Sequence, residues 1–296
     1  MKIQSLSIVV PSNGCINKCP FCVSRMVGSN GYENLMDINH PHYDINVREY
    51  LKRMRFVADN GCQTLMLTGT AEPQQNKQFL ATFALLHQQI GSPFTNIEMQ
   101  TTGMTLDKNR DYLRFLRNFV GVNTIALSIN AHDDISNSRM LGHEVDDMRN
   151  LPLRMPILSD LLKEYDFNIR CCFNLSDTFD GLDFHRICEG GIRLGASQIT
   201  FRRLYTTQDE TPQAKWIREH QPSKELMQNI KLHLASLPVC GKTEYGSPCY
   251  DYNGVSIVFD NDCMGKNPET DVKKYLILRP NCKLYSQWDS KASLVF

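Results

Sequence analysis

No charge of either sign prevails in this chain: 32 Lys and Arg stand against 32 Asp and Glu. Zero net charge excludes the broad basic field that grips nucleic acid or anionic membranes without sequence preference, although it permits a local basic patch. No apolar run approaches the roughly 18 residues a membrane helix needs, so no membrane span is expected. The opening stretch, Met1 to Pro11, is too short and too polar for the apolar core of a signal peptide, and no small-residue cleavage site follows it. There is no internal repeat beyond an alternation of strand and helix, and no low-complexity tract. The absence that matters most concerns cysteine. Cys15, Cys19 and Cys22 fall within one short run, yet no fourth Cys, and no His before His40, lies near enough in sequence to complete the set.

The whole chain carries 11 cysteines. Without a secretion signal, that number points to a reducing cytoplasm in which thiols serve as ligands or as small buried apolar groups, and the odd count fits poorly with a full set of disulfides. The run Cys15-Ile16-Asn17-Lys18-Cys19-Pro20-Phe21-Cys22 sets three thiolates at spacings suited to three corners of a cubane iron–sulfur cluster, for which thiolate is the soft ligand. Such a cluster keeps one iron open to chemistry. A structural zinc site is the competing reading, but zinc prefers four closed ligands, and no second Cys-x-x-Cys pair supplies the rest. A zinc-bearing binding module and an iron–sulfur electron carrier therefore stand beside an enzyme as alternatives.

Short β-rich runs alternate with amphipathic stretches along the first two thirds of the chain. Strands are expected near 3–10, 64–69, 95–101, 122–130, 167–174 and 197–203, and helices near 46–60, 76–90, 108–118, 153–165 and 181–194. Val47, Tyr50, Leu51, Met54 and Val57 show the helical period, and Gly61 is placed to end that helix. Parallel strands joined by right-handed crossovers curl into a full or partial barrel, whose functional loops leave the C-terminal strand ends. The expected fold is α/β: a partial (β/α)6 TIM-like barrel over residues 1–205, with a small C-terminal α+β extension over 206–296. The segment 206–222 reads as a polar break punctuated by Pro212 and Pro222. A helix over 223–236 and strands near 255–259 and 275–279 follow. Part of 206–260 is expected to cover the barrel mouth or to contribute to a substrate site.

The cysteine run, with the aromatic Phe21 before its last Cys, resembles the signature of the radical S-adenosylmethionine (radical SAM) superfamily. Thr68-Gly69-Thr70-Ala71-Glu72-Pro73 resembles that family's Gly-Gly-Glu-Pro loop, with Thr70-Ala71 in place of the second Gly. Glu98-Met99-Gln100-Thr101-Thr102-Gly103 resembles its Thr-Asn-Gly strand end, with Thr102 for Asn. Leu127-Ser128-Ile129-Asn130 resembles its Ser-x-Asn strand, and Arg139 resembles the Arg that meets the SAM carboxylate. The resemblance implies a 4Fe–4S cluster on Cys15, Cys19 and Cys22 and a SAM site drawing on Phe21, Gly69, Thr70, Glu72, Thr102, Ser128, Asn130 and Arg139. In that family Glu72 would pair with the SAM amino group, and Ser128 and Asn130 would hydrogen-bond the ribose. It further implies reductive cleavage of SAM to a 5′-deoxyadenosyl radical, hydrogen abstraction from a substrate, and a flavodoxin or ferredoxin-type reductant.

The substrate is not named by these motifs; a small molecule, a nucleotide or a peptide would serve. On the sixth strand Gln198, Thr200 and Arg202 share one face and Arg203 the other. Cys62, Cys171, Cys172 and Cys188 are expected as buried small apolar groups. Cys240, Cys249, Cys263 and Cys282 are spaced too irregularly to announce an auxiliary cluster, and buried free thiols are the expected reading. His40 and His42 are candidate proton carriers beside the first loop. Tyr245, Tyr250, Tyr252, Tyr285 and Trp288 are candidates to line a chamber or to pack over the mouth.

Overall fold

The computed structural model describes residues 2–12, 14–26, 45–208, 210–242, 247–260, 272–288 and 290–296, so His40, His42, Tyr245 and Cys263 lie outside the described residues. Six parallel strands form in the expected order: β1 (Lys2–Val10), β2 (Thr64–Gly69), β3 (Asn96–Thr101), β4 (Thr124–Ile129), β5 (Asn168–Leu175) and β6 (Gln198–Arg203). The helices between them are α1 (Val47–Asp59), α2 (Lys77–Gln89), α3 (Arg110–Arg114), α4 (Asp134–Met140), α5 (Met155–Glu164) and α6 (Phe184–Arg193). Period-two alternation decides what each strand buries. Leu6, Leu65, Ile97, Leu127, Ile169, Phe173 and Phe201 pack under the helices in one apolar core, while the neighbouring residues face the concave side. Asn46, Asn76, Asp133 and Asp183 cap the starts of α1, α2, α4 and α6 by accepting a backbone N–H. Asn76 also donates its side-chain amide to the Pro11 carbonyl at 2.7 Å, which fixes α2 against the loop after β1.

Two local expectations are corrected. The helix expected over 108–118 is α-helical only to Arg114; Phe115–Val120 then widens into a π-turn, closed by Gly121 at φ +83°, that stacks Phe115 on Phe119. The supposed polar break contains α7 (Pro212–Glu219), because Pro212 stands at the first helical position, where its missing N–H costs nothing, and Thr211 caps the helix.

The C-terminal residues do not make a separate sheet. After α8 (Lys224–Ser236) come β7 (Val239–Lys242), β8 (Pro248–Tyr252) and β9 (Val255–Asp260), then β10 (Val272–Leu278) and β11 (Leu284–Tyr285). β9 joins β6 in parallel, and β10 joins β1 in parallel on the opposite edge. Asn253 and Gly254, both at positive φ, form the two-residue turn that folds β8 back against β9. Among the described residues the outcome is an open 11-stranded sheet in the order β11-β10-β1-β2-β3-β4-β5-β6-β9-β8-β7. It is a partial TIM-like α/β barrel with both edges lengthened by the C-terminal segment.

Candidate active site

The loop that follows β1 carries Cys15, Cys19 and Cys22, all half-buried, and it lies at the C-terminal end of the parallel strands. Its apolar side is built by Phe21 and Met26, which pack with Ala214 and Ile217 of α7; the Phe21 ring lies 5.6 Å from Trp216. Trp216 in turn stacks on His220 at 4.2 Å, and His220 Nδ1 meets Asp177 after β5 at 2.8 Å. The segment beyond β6 thus folds back over the cysteine loop.

On its inner side the loop is tied by Asn17, which is 2 % exposed. Asn17 Nδ2 donates to Glu72 Oε1 at 3.0 Å and to Thr102 Oγ1 at 3.1 Å, and its Oδ1 lies 2.9 Å from His143 Nε2. Because that amide oxygen only accepts, His143 must carry its proton on Nε2. Burial, followed by the nearby Lys18 charge, holds the His143 pKa below the ordinary imidazole value, so the ring is neutral at pH 7. Glu72, 6 % exposed, also accepts from Gln74 Nε2 at 2.9 Å, from the Thr101 hydroxyl, and from the Thr102 hydroxyl and N–H at 2.8 and 3.1 Å. Among the described residues no Lys, Arg or His forms an ion pair with it.

The loop is clamped from outside as well. Lys18 N–H donates to the Leu141 carbonyl at 2.8 Å, and Gly142 follows at φ +83°. A Cβ at Gly142 would sit 2.7 Å from Lys18 Cβ and 2.9 Å from the Lys18 carbonyl oxygen. Gly142→Ala is therefore expected to push the cysteine loop outward, with about 1–2 kcal/mol of left-handed strain added. Alkylation of Cys15, Cys19 and Cys22 in the metal-free chain, followed by mass spectrometry, should accelerate several-fold; an unchanged rate would show the clamp to be idle.

Three thiols on one short loop are a soft donor set of the kind an iron–sulfur cluster takes. Among the described residues no three His, Cys, Asp or Glu side chains converge to hold one metal ion, whereas zinc needs its ligands within about 2.3 Å. In a four-iron cluster each thiolate meets a different iron, so the three thiols need only surround a common space. They are close enough to disfavour one another's ionisation. The Cys15 and Cys19 pKa values are pushed up, chiefly by burial, with neighbouring thiols and Glu72 adding to it. Ligation must therefore release thiol protons.

The other sequence candidates separate into open and committed groups. Ser128 is half-buried on the concave face, and its hydroxyl has no protein partner among the described residues. Asn130, 1 % exposed, is committed: its amide lies 3.4 Å from Asn137 Oδ1, and its Oδ1 accepts from Asn174 Nδ2 at 2.8 Å. Gly69 ends β2 where a Cβ would come within 2.7 Å of the Val10 carbonyl oxygen, so the small residue is required by the β1–β2 approach itself. Thr70 follows it, half-buried. Arg139 is exposed on α4 and donates Nε–H to the Val145 carbonyl at 2.9 Å. Asn17, Gln74, Thr101 and His143 were missed as site residues. Asn17 and Thr101 offered a signal, by standing inside the cysteine run and inside the Thr101-Thr102-Gly103 strand end.

The concave face is polar. Arg170 on β5 reaches across β4, above the small Ala126, to Glu98 on β3 at 2.8 Å. Ser128, Cys172 and Thr200 lie in one row across β4, β5 and β6. Arg202 faces inward, 3.7 Å from Asp260 of β9, while Arg203 is exposed. A cavity of about 600 Å³ near Ile129, Asp134, Phe173 and Arg186 lies on the helix side of the sheet, apart from this face. Cys62, Cys171, Cys172, Cys188, Cys249 and Cys282 are buried thiols as expected, but Cys240 is exposed on the edge strand β7. Cys282 lies beyond β10 and Cys249 on β8, at opposite edges of the sheet, so these two cannot share a cluster.

Among protein families, the model described as the radical SAM superfamily matches residues 9–152. No curated protein matches the sequence. Among solved structures, a radical SAM methyltransferase from Sphaerobacter thermophilus is 18% identical over 88% of this chain and 66% of its own, with a TM-score of 0.49. Methylornithine synthase (PylB) is 15% identical over 78% of this chain and 62% of its own, TM-score 0.46. TsrM from Kitasatospora setae, a radical S-adenosylmethionine methyltransferase solved with cobalamin and a [4Fe-4S] cluster, is 13% identical over 72% of this chain and 37% of its own, TM-score 0.46. The chain thus spans about two thirds or less of the length of these structures.

Proposed function

We propose that this chain, whose residues 9–152 match the radical SAM superfamily, is an enzyme of that superfamily that cleaves SAM reductively at a 4Fe–4S cluster and abstracts hydrogen from a polar substrate. The observation that carries this reading is the three-cysteine loop, half-buried at the C-terminal mouth of a parallel barrel. When bound, the cluster and SAM supply a one-electron cleavage that yields a 5′-deoxyadenosyl radical. Cys15, Cys19 and Cys22 are the cluster ligands in this proposal, and Phe21 shields them on the side of Trp216.

The ends of β2, β3 and β4 form the SAM seat. Gly69 and Thr70 would offer backbone and hydroxyl groups there, Thr102 holds the end of β3 by donating its hydroxyl and N–H to Glu72, the Ser128 hydroxyl would hydrogen-bond the ribose, and Asn130 keeps the end of β4 in shape through Asn137 and Asn174. The exposed terminal nitrogens of Arg139 serve a carboxylate. Ser128→Ala is expected to raise the SAM Kd by about tenfold, the worth of one hydrogen bond in a partly dry site, without disturbing cluster loading. Equilibrium dialysis measures it, and an unchanged Kd removes Ser128 from the seat.

Residues 1–205 perform the cofactor chemistry in this reading. Residues 206–296 cover the cysteine loop through α7 and keep water from a radical that solvent would quench. The concave face sets the substrate class. Glu98, Arg170, Arg202, Asp260 and Thr200 present paired charge and hydroxyl groups, which suit a small molecule, nucleotide or peptide rich in hydrogen-bonding groups and disfavour a hydrocarbon. A flavodoxin or ferredoxin-type protein supplies the electron.

Anaerobic reconstitution with iron and sulfide, followed by SAM and a chemical reductant, tests the proposal. A brown protein that bleaches on reduction and releases 5′-deoxyadenosine supports it. A colourless zinc protein, or a coloured one that leaves SAM intact, refutes it in favour of a binding module or an electron carrier.

A further inference from the structure

We propose that Asn17 and Glu72 form the positioning joint of the cysteine loop, and that the Glu72 carboxylate is spent on this joint and not reserved for the ammonium group of a ligand. The proposal rests on the cluster reading above only for the purpose of the loop.

A carboxylate offers about four acceptor positions. Those of Glu72 are taken: Oε1 receives Asn17 Nδ2 at 3.0 Å and the Thr102 hydroxyl at 2.8 Å. Oε2 receives Gln74 Nε2 at 2.9 Å and the Thr101 hydroxyl, and the Thr102 N–H lies 3.1 Å from it. Hydrogen bonds to a buried carboxylate stabilise its charge without a cation. Their far ends lead to the cysteine loop, to the end of β3 and to the turn at Pro73–Gln75, whose Gln74 carbonyl is itself held by the Tyr112 hydroxyl at 2.6 Å. Asn17 carries the joint outward. Its Oδ1 accepts from His143 Nε2, its carbonyl accepts from Arg25 Nη2 at 2.9 Å, and its N–H reaches Cys15 Sγ at 3.4 Å. One buried amide between Cys15 and Cys19 therefore fixes the loop to the ends of β2 and β3 and to the turn after α4. An ammonium group would have to displace a donor that this loop needs.

The test exploits the polarity of the pair. Asn17→Asp sets a carboxylate against a carboxylate, and Glu72→Gln sets an amide donor against Asn17 or Gln74. Each single variant is expected to retain about tenfold less cluster after reconstitution and desalting, and to alkylate about tenfold faster at Cys15, Cys19 and Cys22 when metal-free. Combining Asn17→Asp with Glu72→Gln exchanges donor and acceptor, with the Thr102 hydroxyl turned round between them. Both readouts, and the absorption and EPR spectra of the cluster, are expected to return to those of the parent chain. Circular dichroism of each metal-free variant checks that the barrel has folded.

Full loading in either single variant overturns the proposal, as does failure of the combined variant to recover. Glu72→Gln that loads fully and loses only SAM affinity in dialysis overturns it in favour of ammonium binding. If the parent chain itself takes up no cluster, the cluster reading fails by itself, and the alkylation rates still decide whether the joint exists.

Discussion

Replacing Cys15, Cys19 and Cys22 together by Ala is expected to abolish cluster uptake and to bring 5′-deoxyadenosine formation down to the background of the reductant alone. The physical ground is the small size of the ligand set. In the proposed reading three thiolates would hold the cluster, and among the described residues no other Cys stands ready to substitute: Cys62, Cys171, Cys172, Cys188, Cys249 and Cys282 are buried, and the exposed Cys240 lies on the edge strand β7. Removal of any one thiolate leaves an iron bound by nothing from the chain. The fold should survive, since the three side chains are half-buried loop groups and not the body of the core. Circular dichroism matching the parent chain, together with absent colour and absent product, is the expected result. Product from the triple variant would end the radical SAM mechanism for this protein.

Arg170→Met is expected to be the most destabilising single change on the concave face. The Arg170 guanidinium meets Glu98 at 2.8 Å, and the Glu98 side chain is 7% exposed against 21% for Arg170. Removing the cation leaves a buried carboxylate with Gln100 Nε2, at 3.2 Å, as its remaining side-chain donor. Breaking a buried pair in this way costs about 3–5 kcal/mol, and the partial exposure of the arginine places this case near the lower figure. Urea unfolding of the metal-free chain reads it as a lowered midpoint at constant slope. The companion variant Arg170→Met with Glu98→Leu should recover most of the loss, because the uncompensated charge is gone. A single variant within about 0.5 kcal/mol of the parent, the ordinary scatter of surface substitutions, would mean that water reaches Glu98 and that the floor of the concave face is not closed.

Strand and helix order was legible because it is written locally. Leu127 and Ile129 alternate with Ser128, so β4 and its two faces follow from adjacent residues, and Val47 to Val57 carry their helical period in one turn after another. The cysteine loop was legible for the same reason: its ligands lie within a few residues of one another. Local reading failed where a feature depends on a distant partner. Ser128 and Asn130 look equivalent in sequence, yet Asn130 is consumed by Asn137 and Asn174 while the Ser128 hydroxyl meets no partner among the described residues. Pro212 looks like a break, although its position at a helix start makes it a beginning.

By itself, then, the sequence determined a parallel α/β barrel, a three-thiol loop after its first strand, and the family whose signature that loop resembles, since all of these rest on spacing within short segments. Only the tertiary structure decided that β9 and β10 lengthen opposite edges of the sheet, that α7 closes over Phe21, and that Asn17 and Glu72 meet. Those outcomes are contacts between residues far apart in the chain. Strand register, burial and the need to satisfy every buried polar group fix them together, and no one segment carries them.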